Sequence, residues 1–166
     1  YISRRTTPAD ADIEAPVNAY RDAIGVFVIA HEYGHLLEGD LDAHPLGGPP
    51  RSLCDAEYAA DVRGLQIGAE ATLGYGLEGA GILGPFLYLA AQDVMARATA
   101  LYKGQPPPPE TSTAYPTPFQ RLRKLAEWAQ PPNPLAARFP QQLRVTPRLY
   151  HYMLSVWDVI APALAD

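Results

Sequence analysis

Hydrophobic and polar residues follow helical spacing in five segments of the chain, and they alternate as in strands almost nowhere. The predicted helices cover about 16–38, 52–73, 85–103, 118–130 and 147–161. A short strand over 142–145 is the one candidate for extended structure. We therefore expect a mainly α protein, a compact helical domain with little or no β-sheet.

Polar residues, glycine and proline mark the segments outside these helices. Residues 1–13 are expected to form an irregular lead-in, with Pro16 in the first turn of the first helix. The glycines spaced over 74–84 favour small residues for close helix packing over a phosphate-binding loop, because no Lys-Ser/Thr pair follows them. Residues 104–118 form a proline-rich connector, which we interpret as a stiff spacer. The whole chain, 1–166, is expected to be a single domain.

Composition excludes several classes of function. A chain of 166 residues that is 48% hydrophobic and 19% charged suits one globular domain with a proper core. The net charge of −5 argues against nucleic acid or an anionic membrane as a partner. The longest uncharged apolar stretch, 79–92, is too short to span a bilayer. The single cysteine, Cys54, excludes an internal disulfide framework and favours a reducing compartment, so we expect a cytoplasmic location.

The candidate chemistry lies in the first predicted helix, where His31, Glu32 and His35 form an H-E-x-x-H motif. Two histidines four residues apart on a helix lie on the same face, with Cβ atoms about 5–6 Å apart. They can therefore hold one zinc ion through ring nitrogens. Glu32 lies one position further round the helix, where it can hydrogen-bond a water on that ion without binding the ion. The motif predicts a zinc site suited to hydrolysis.

A catalytic zinc site needs a third protein ligand. The metzincin pattern places a histidine six residues after the second one, where this chain has Leu41. His44, three residues further on, is an alternative ligand beyond the expected end of the helix. Glu57 and Asp61 lie four apart on the second predicted helix, among alanines that leave room for a close helix approach. One carboxylate can complete a His2Glu site, and the other can accept a hydrogen bond from a ligating histidine.

The H-E-x-x-H motif followed by E-x-x-A-D-x-x-G resembles the gluzincin peptidases of the CAAX-prenyl-protease and OMA-type family. Compact relatives with a similar pattern are the minigluzincins and the ImmA/IrrE-type and Lit-type peptidases. The resemblance covers roughly residues 26–68. It implies a zincin-like helical domain in which an active-site helix packs against a glutamate helix. It also implies Glu57 as the third zinc ligand and Asp61 as the partner of a ligating histidine.

A third segment, residues 115–125, is similar to the His-Pro-x-x-x-x-Arg-φ-x-x-Leu segment that this family often carries. Tyr115 stands where the family has the histidine that stabilises the oxyanion. A tyrosine O–H can donate a hydrogen bond in the same role. His151 and Tyr152 are further candidates for that donor, although His151 is better explained as a surface or helix-packing residue.

The resemblance implies hydrolysis of a protein or peptide substrate by metal-activated water. Glu32 would take a proton from the water as general base and pass it to the leaving amine. Arg121 is expected to pair with Asp61 or another acid rather than with substrate. Two alternatives stay open. One is a catalytically silent scaffold of the same type that serves as a binding or regulatory module, as the change at Tyr115 suggests. The other is a zinc hydrolase acting on a non-peptide amide.

Overall fold

A computed structural model describes residues 8–40, 52–73, 75 and 77–165 of the chain. These residues form six helices and no strand, which confirms the predicted mainly α fold. The helices are α1 (Pro8–Glu38), α2 (Leu53–Leu73), α3 (Glu78–Tyr102), α4 (Pro118–Trp128), α5 (Pro134–Arg138) and α6 (Pro140–Ala165). No helix in this described part of the chain combines the length and the apolar character needed to cross a bilayer.

The expected start of the first helix is wrong. Residues 8–13, assigned to the irregular lead-in, belong to α1. Pro8 suits a first helical position, because its fixed φ is already helical and its missing N–H has no partner to lose there. Pro16 lies inside the helix instead of at its start. It forgoes one backbone hydrogen bond, a cost that the packing of the rest of α1 offsets.

The expected strand over 142–145 is also wrong, because these residues lie within α6. Leu143 is buried and belongs to the hydrophobic core, so tertiary packing decides the conformation of this short apolar segment. The proline-rich connector lies between α3 and α4, and its last expected residue, Pro118, is the first residue of α4. Ser52 caps the start of α2, since its Oγ accepts a hydrogen bond from the Asp55 N–H at 3.1 Å.

Small residues let α1 and α2 approach closely. A Cβ atom added to Gly34 would lie 3.1 Å from the Cα of Ala60 on the other helix. One added to Gly64 would lie 2.8 Å from the ring of Phe27. Ala60 is fully buried, as expected from the alanines of this segment. The close crossing places the histidine face of α1 opposite Glu57 of α2.

The hydrophobic core lies mainly around α3, which packs against α1, α2, α4 and α6. Its largest members come from α2, α3, α4 and α6, so the core joins the helix that carries Glu57 to the rest of the bundle. These buried side chains include Leu65, Ile82, Phe86, Leu89, Leu122, Leu125 and Leu143.

Helix α3 begins at Glu78, earlier than the expected start at Pro85, because the glycines of 79–84 are helical. Their role in close helix packing is confirmed at two positions. A Cβ atom on Gly84 would lie 3.2 Å from the Cβ of Ala23. One on Gly81 would overlap Thr72 Oγ1 and would lie 3.0 Å from the carbonyl oxygen of Gly68.

Replacing Gly81 by Ala is expected to lower the free energy of unfolding by about 1–3 kcal/mol. Thr72 cannot move aside cheaply, because it is buried and its hydroxyl donates to the Gly68 and Ala69 carbonyl oxygens. Urea denaturation followed by circular dichroism measures the change. Gly79→Ala is the matched control, since nothing lies within 4 Å of its added Cβ and alanine favours helix. Equal stability of the two variants would contradict the packing role of Gly81.

Candidate metal centre

His31, His35 and Glu57 bring three potential metal ligands together between α1 and α2. The two Nε2 atoms of the histidines lie 3.2 Å apart. His31 Nε2 lies 3.5 Å from Glu57 Oε2, and His35 Nε2 lies 3.5 Å from Glu57 Oε1. One ligand atom from each residue falls within 4.8 Å of the other two. His31 and Glu57 are buried and His35 is partly buried. These three side chains can hold a metal ion.

The second ring nitrogen of His31 faces Asp61. His31 Nδ1 lies 3.1 Å from Asp61 Oδ1, and the carboxylate is almost fully buried. A carboxylate at this position favours the tautomer that protonates Nδ1. Nε2 is then the unprotonated nitrogen, and it lies 3.5 Å from Glu57 Oε2 and 3.5 Å from Arg121 Nη2. Asp61 therefore lies beside a candidate ligand, and its role as the partner of that histidine stays a prediction.

His35 has an equivalent partner that the sequence did not indicate. Its Nδ1 lies 3.1 Å from Asp40 Oδ2. Gly39, with φ of 75°, adopts the left-handed conformation just after α1, and the Asp40 N–H donates to the His35 carbonyl oxygen at 3.0 Å. This glycine-dependent helix end turns the chain back, so the Asp40 side chain reaches the histidine ring five residues before it.

Replacing Asp40 by Asn is expected to weaken zinc binding by about 10- to 100-fold, the usual cost of losing a carboxylate that orients a ligating histidine. Competition with a chromophoric chelator measures the affinity. Asp22→Asn is the matched control on α1, because Asp22 is exposed and pairs only with its neighbour Arg21 among the described contacts. If both variants bound zinc as tightly as the wild type, Asp40 would have no positioning role.

Glu57 carries an unusual buried oxygen. Its Oε2 is the one buried side-chain polar atom of the described residues that has no hydrogen-bond partner. Arg121 Nη1 lies 3.2 Å away, near enough for electrostatic attraction, but no hydrogen bond forms. Burying an unsatisfied carboxylate oxygen is costly, so the arrangement needs a reason. A cation between Glu57 and the two histidines would satisfy this atom.

Arg121 reaches the site from α4, whose start is fixed by a capping box. Thr117 Oγ1 accepts from the Gln120 N–H, and Gln120 Oε1 accepts from the Thr117 N–H. Arg121 donates two hydrogen bonds to Asp61, at 2.8 Å from Nε and at 2.6 Å from Nη2. The expected Arg121–Asp61 pair is thus confirmed. Burial acts to lower the pKa of Arg121, but these bonds and the nearby carboxylates raise it above its ordinary value.

A cavity of about 270 Å³ opens onto the candidate ligands. Glu32 lines it as an exposed side chain beside His31 and His35, as the motif predicted. Tyr115 lines it from the connector and is half exposed. Partial burial, followed by a hydrogen bond to Glu57 and the negative charge of that carboxylate, raises the pKa of Tyr115 to about 12. Its phenol therefore keeps its proton at neutral pH and can donate a hydrogen bond into the cavity.

The other sequence candidates are placed differently. His151 and Tyr152 are exposed on α6 and do not line the cavity. His44 lies outside the described residues. Tyr88 and Gln92 of α3 line the cavity although the sequence gave no reason to select them, because their spacing matches the core pattern of that helix.

No protein-family model, no curated protein and no solved structure matches this chain.

Proposed function

We propose that the protein is a zinc-dependent peptidase. His31, His35 and Glu57 would hold the zinc ion, with Asp61 and Asp40 orienting the two histidines. When bound, zinc would supply Lewis acidity that lowers the pKa of water toward neutrality and polarises a carbonyl group. The side chains of the cavity would then direct that chemistry to a peptide bond.

The separations among the candidate ligand atoms carry this proposal. A tetrahedral zinc ion with nitrogen and oxygen ligands at about 2.0–2.2 Å keeps neighbouring ligand atoms about 3.3–3.6 Å apart. The two histidine Nε2 atoms lie 3.2 Å apart, and each lies 3.5 Å from a different oxygen of Glu57, His31 from Oε2 and His35 from Oε1. With one ligand atom taken from each residue, all three lie within 4.8 Å of one another, so a small shift of the Glu57 carboxylate would complete the tetrahedral spacing. The unpartnered Glu57 Oε2 lies at the same point. Three protein ligands beside an open cavity are typical of a catalytic zinc site, whereas structural sites have four.

Glu32 and Tyr115 have complementary roles in the proposed reaction. Water attacks the carbonyl carbon and loses a proton to the Glu32 carboxylate. The carbonyl oxygen becomes an oxyanion, to which the protonated Tyr115 hydroxyl donates a hydrogen bond. Glu32 then delivers the proton to the amide nitrogen as the C–N bond breaks. The products are a carboxylic acid and an amine.

The resemblance to gluzincin peptidases supports the same proposal. The Glu57 and Asp61 positions suit the roles that the resemblance implies, and Arg121 pairs with Asp61. Tyr115 presents an O–H donor beside the candidate ligands, in the position of the family histidine, which suits an enzyme better than a silent scaffold. Three other expectations stay predictions: a cytoplasmic location, no nucleic-acid partner, and a single domain.

Digestion of a peptide library tests the proposal. Zinc-loaded protein is incubated with a mixture of unstructured peptides, and the products are identified by mass spectrometry. We expect cleavage that a chelator stops and that added zinc restores. The His31→Ala variant, purified in the same way, controls for a contaminating protease. Zinc binding without any cleavage would contradict the peptidase and favour the silent scaffold.

A further inference from the structure

A second concave surface adjoins the cavity that is lined by His31, His35 and Glu57, which we call the metal cavity. It lies between α3 and the proline-rich connector and encloses about 580 Å³. We call it the connector groove. The groove and the metal cavity share three lining side chains, Gln92, Tyr115 and Arg121. The two spaces therefore meet at these residues. A chain crossing the candidate ligands would pass directly into the groove.

The connector groove differs chemically from the cavity beside it. The cavity is lined mostly by histidine, carboxylate and other polar side chains. The groove is lined by Pro109, Pro116 and Pro118 on one side and by Met95 on the other. Met95 lines the groove from α3 and is 65% exposed, so its side chain is accessible to a ligand there. An apolar recess with a few polar atoms at one end is typical of a site that accepts an apolar side chain.

Hydrogen bonds hold the connector wall of the groove in place. The Gln120 side chain accepts from the Ser112 N–H at 2.8 Å and donates to the Ser112 carbonyl oxygen at 3.1 Å. Thr117 Oγ1 donates to the Glu110 carbonyl oxygen at 3.0 Å. The Cys54 thiol of α2 lies 3.7 Å from the Thr113 carbonyl oxygen. A wall that is already ordered loses little entropy when a ligand binds. The connector is therefore more than the stiff spacer expected from its prolines.

We propose that the connector groove binds a large apolar side chain of the peptide substrate, next to the bond that is cleaved. This inference rests on the proposed peptidase function and names the class of peptide that the site selects. Tyr115 joins the two spaces. In the proposed reaction its hydroxyl donates to the carbonyl oxygen of the cleaved bond. Because Tyr115 also lines the groove, the neighbouring substrate side chain would lie between Met95 and the prolines.

The test is the cleavage specificity of the zinc-loaded protein on peptides that differ at one position. We expect peptides with Leu, Met or Phe at one position beside the cleaved bond to have a kcat/KM about 10- to 100-fold higher than peptides with Asp or Lys there. This factor corresponds to the free energy gained by burying one such apolar side chain. Met95→Lys is expected to remove most of this preference. The preference is measured as the ratio of kcat/KM for the apolar peptide to kcat/KM for the peptide with Ala at that position.

Tyr102→Lys is the matched control, since Tyr102 is 92% exposed on the same helix and lies outside the groove. It should cleave all peptides as the wild type does. Cleavage without an apolar preference, or a preference that Met95→Lys leaves intact, would overturn the groove assignment while leaving the peptidase in place. Zinc binding with no cleavage of any peptide would overturn the peptidase and this inference together.

Discussion

Replacing Glu32 by Gln is expected to lower kcat/KM for peptide hydrolysis by about 10²–10⁴-fold, the usual contribution of a positioned general base. Glutamine keeps the size of the side chain but cannot accept the proton that the attacking water must lose. Zinc affinity should stay within about threefold of the wild type, because Glu32 supplies no ligand atom to the site. Steady-state kinetics and a zinc titration on the same preparation measure both quantities.

Glu14→Gln is the matched control for this experiment. Glu14 is an exposed glutamate on the same helix and does not line the cavity, so its replacement should leave both quantities unchanged. If Glu32→Gln cleaved peptides as fast as the wild type, the general base would have to be another residue. If it lost zinc instead, Glu32 would be acting on the metal ion and not on the water.

Replacing Arg121 by Met is expected to lower the free energy of unfolding by about 3–5 kcal/mol, which is the cost of leaving a buried charge without its partner. Asp61 is 1% exposed and would lose both hydrogen bonds that Arg121 donates. Glu57, also buried, would lose the nearby positive charge. Methionine fills a similar length of space without replacing these interactions.

Urea denaturation in the presence of a chelator measures this effect without a contribution from metal binding. Arg123→Met is the matched control, because Arg123 is half exposed and its ion pair with Glu127 lies on the surface. Its stability should change by less than about 0.5 kcal/mol. Equal stability of the Arg121 and Arg123 variants would show that the buried pair does not hold α4 to α2.

The sequence predicted the part of the site that depends on helical spacing. Helix α1 holds His31 and His35 on one of its faces, and helix α2 holds Glu57 and Asp61 on one of its own. Their meeting could be expected because small residues stand where the helices cross. The Arg121–Asp61 pair was also predictable, since each partner belongs to a recognisable segment.

The remaining features depend on tertiary geometry that local patterns do not contain. Asp40 reaches His35 only because Gly39 adopts a positive φ after the helix. The α3 glycines suit a loop as well as a helix, and the close approaches that require them, of Gly81 to Thr72 and of Gly84 to Ala23, exist only in the folded protein. The role of the connector wall depends on hydrogen bonds between Gln120 and a residue eight positions earlier.

Zinc titration of the metal-free protein, followed by calorimetry, tests the central assignment most directly. The wild type and Glu57→Ala are compared under the same conditions, with Glu70→Ala as an exposed glutamate control on the same helix. We expect one zinc ion per chain for the wild type and the control. We expect binding at least about 100-fold weaker for Glu57→Ala, which would lose one of three protein ligands. Zinc binding by Glu57→Ala as tight as that of the wild type would contradict the His31, His35 and Glu57 site.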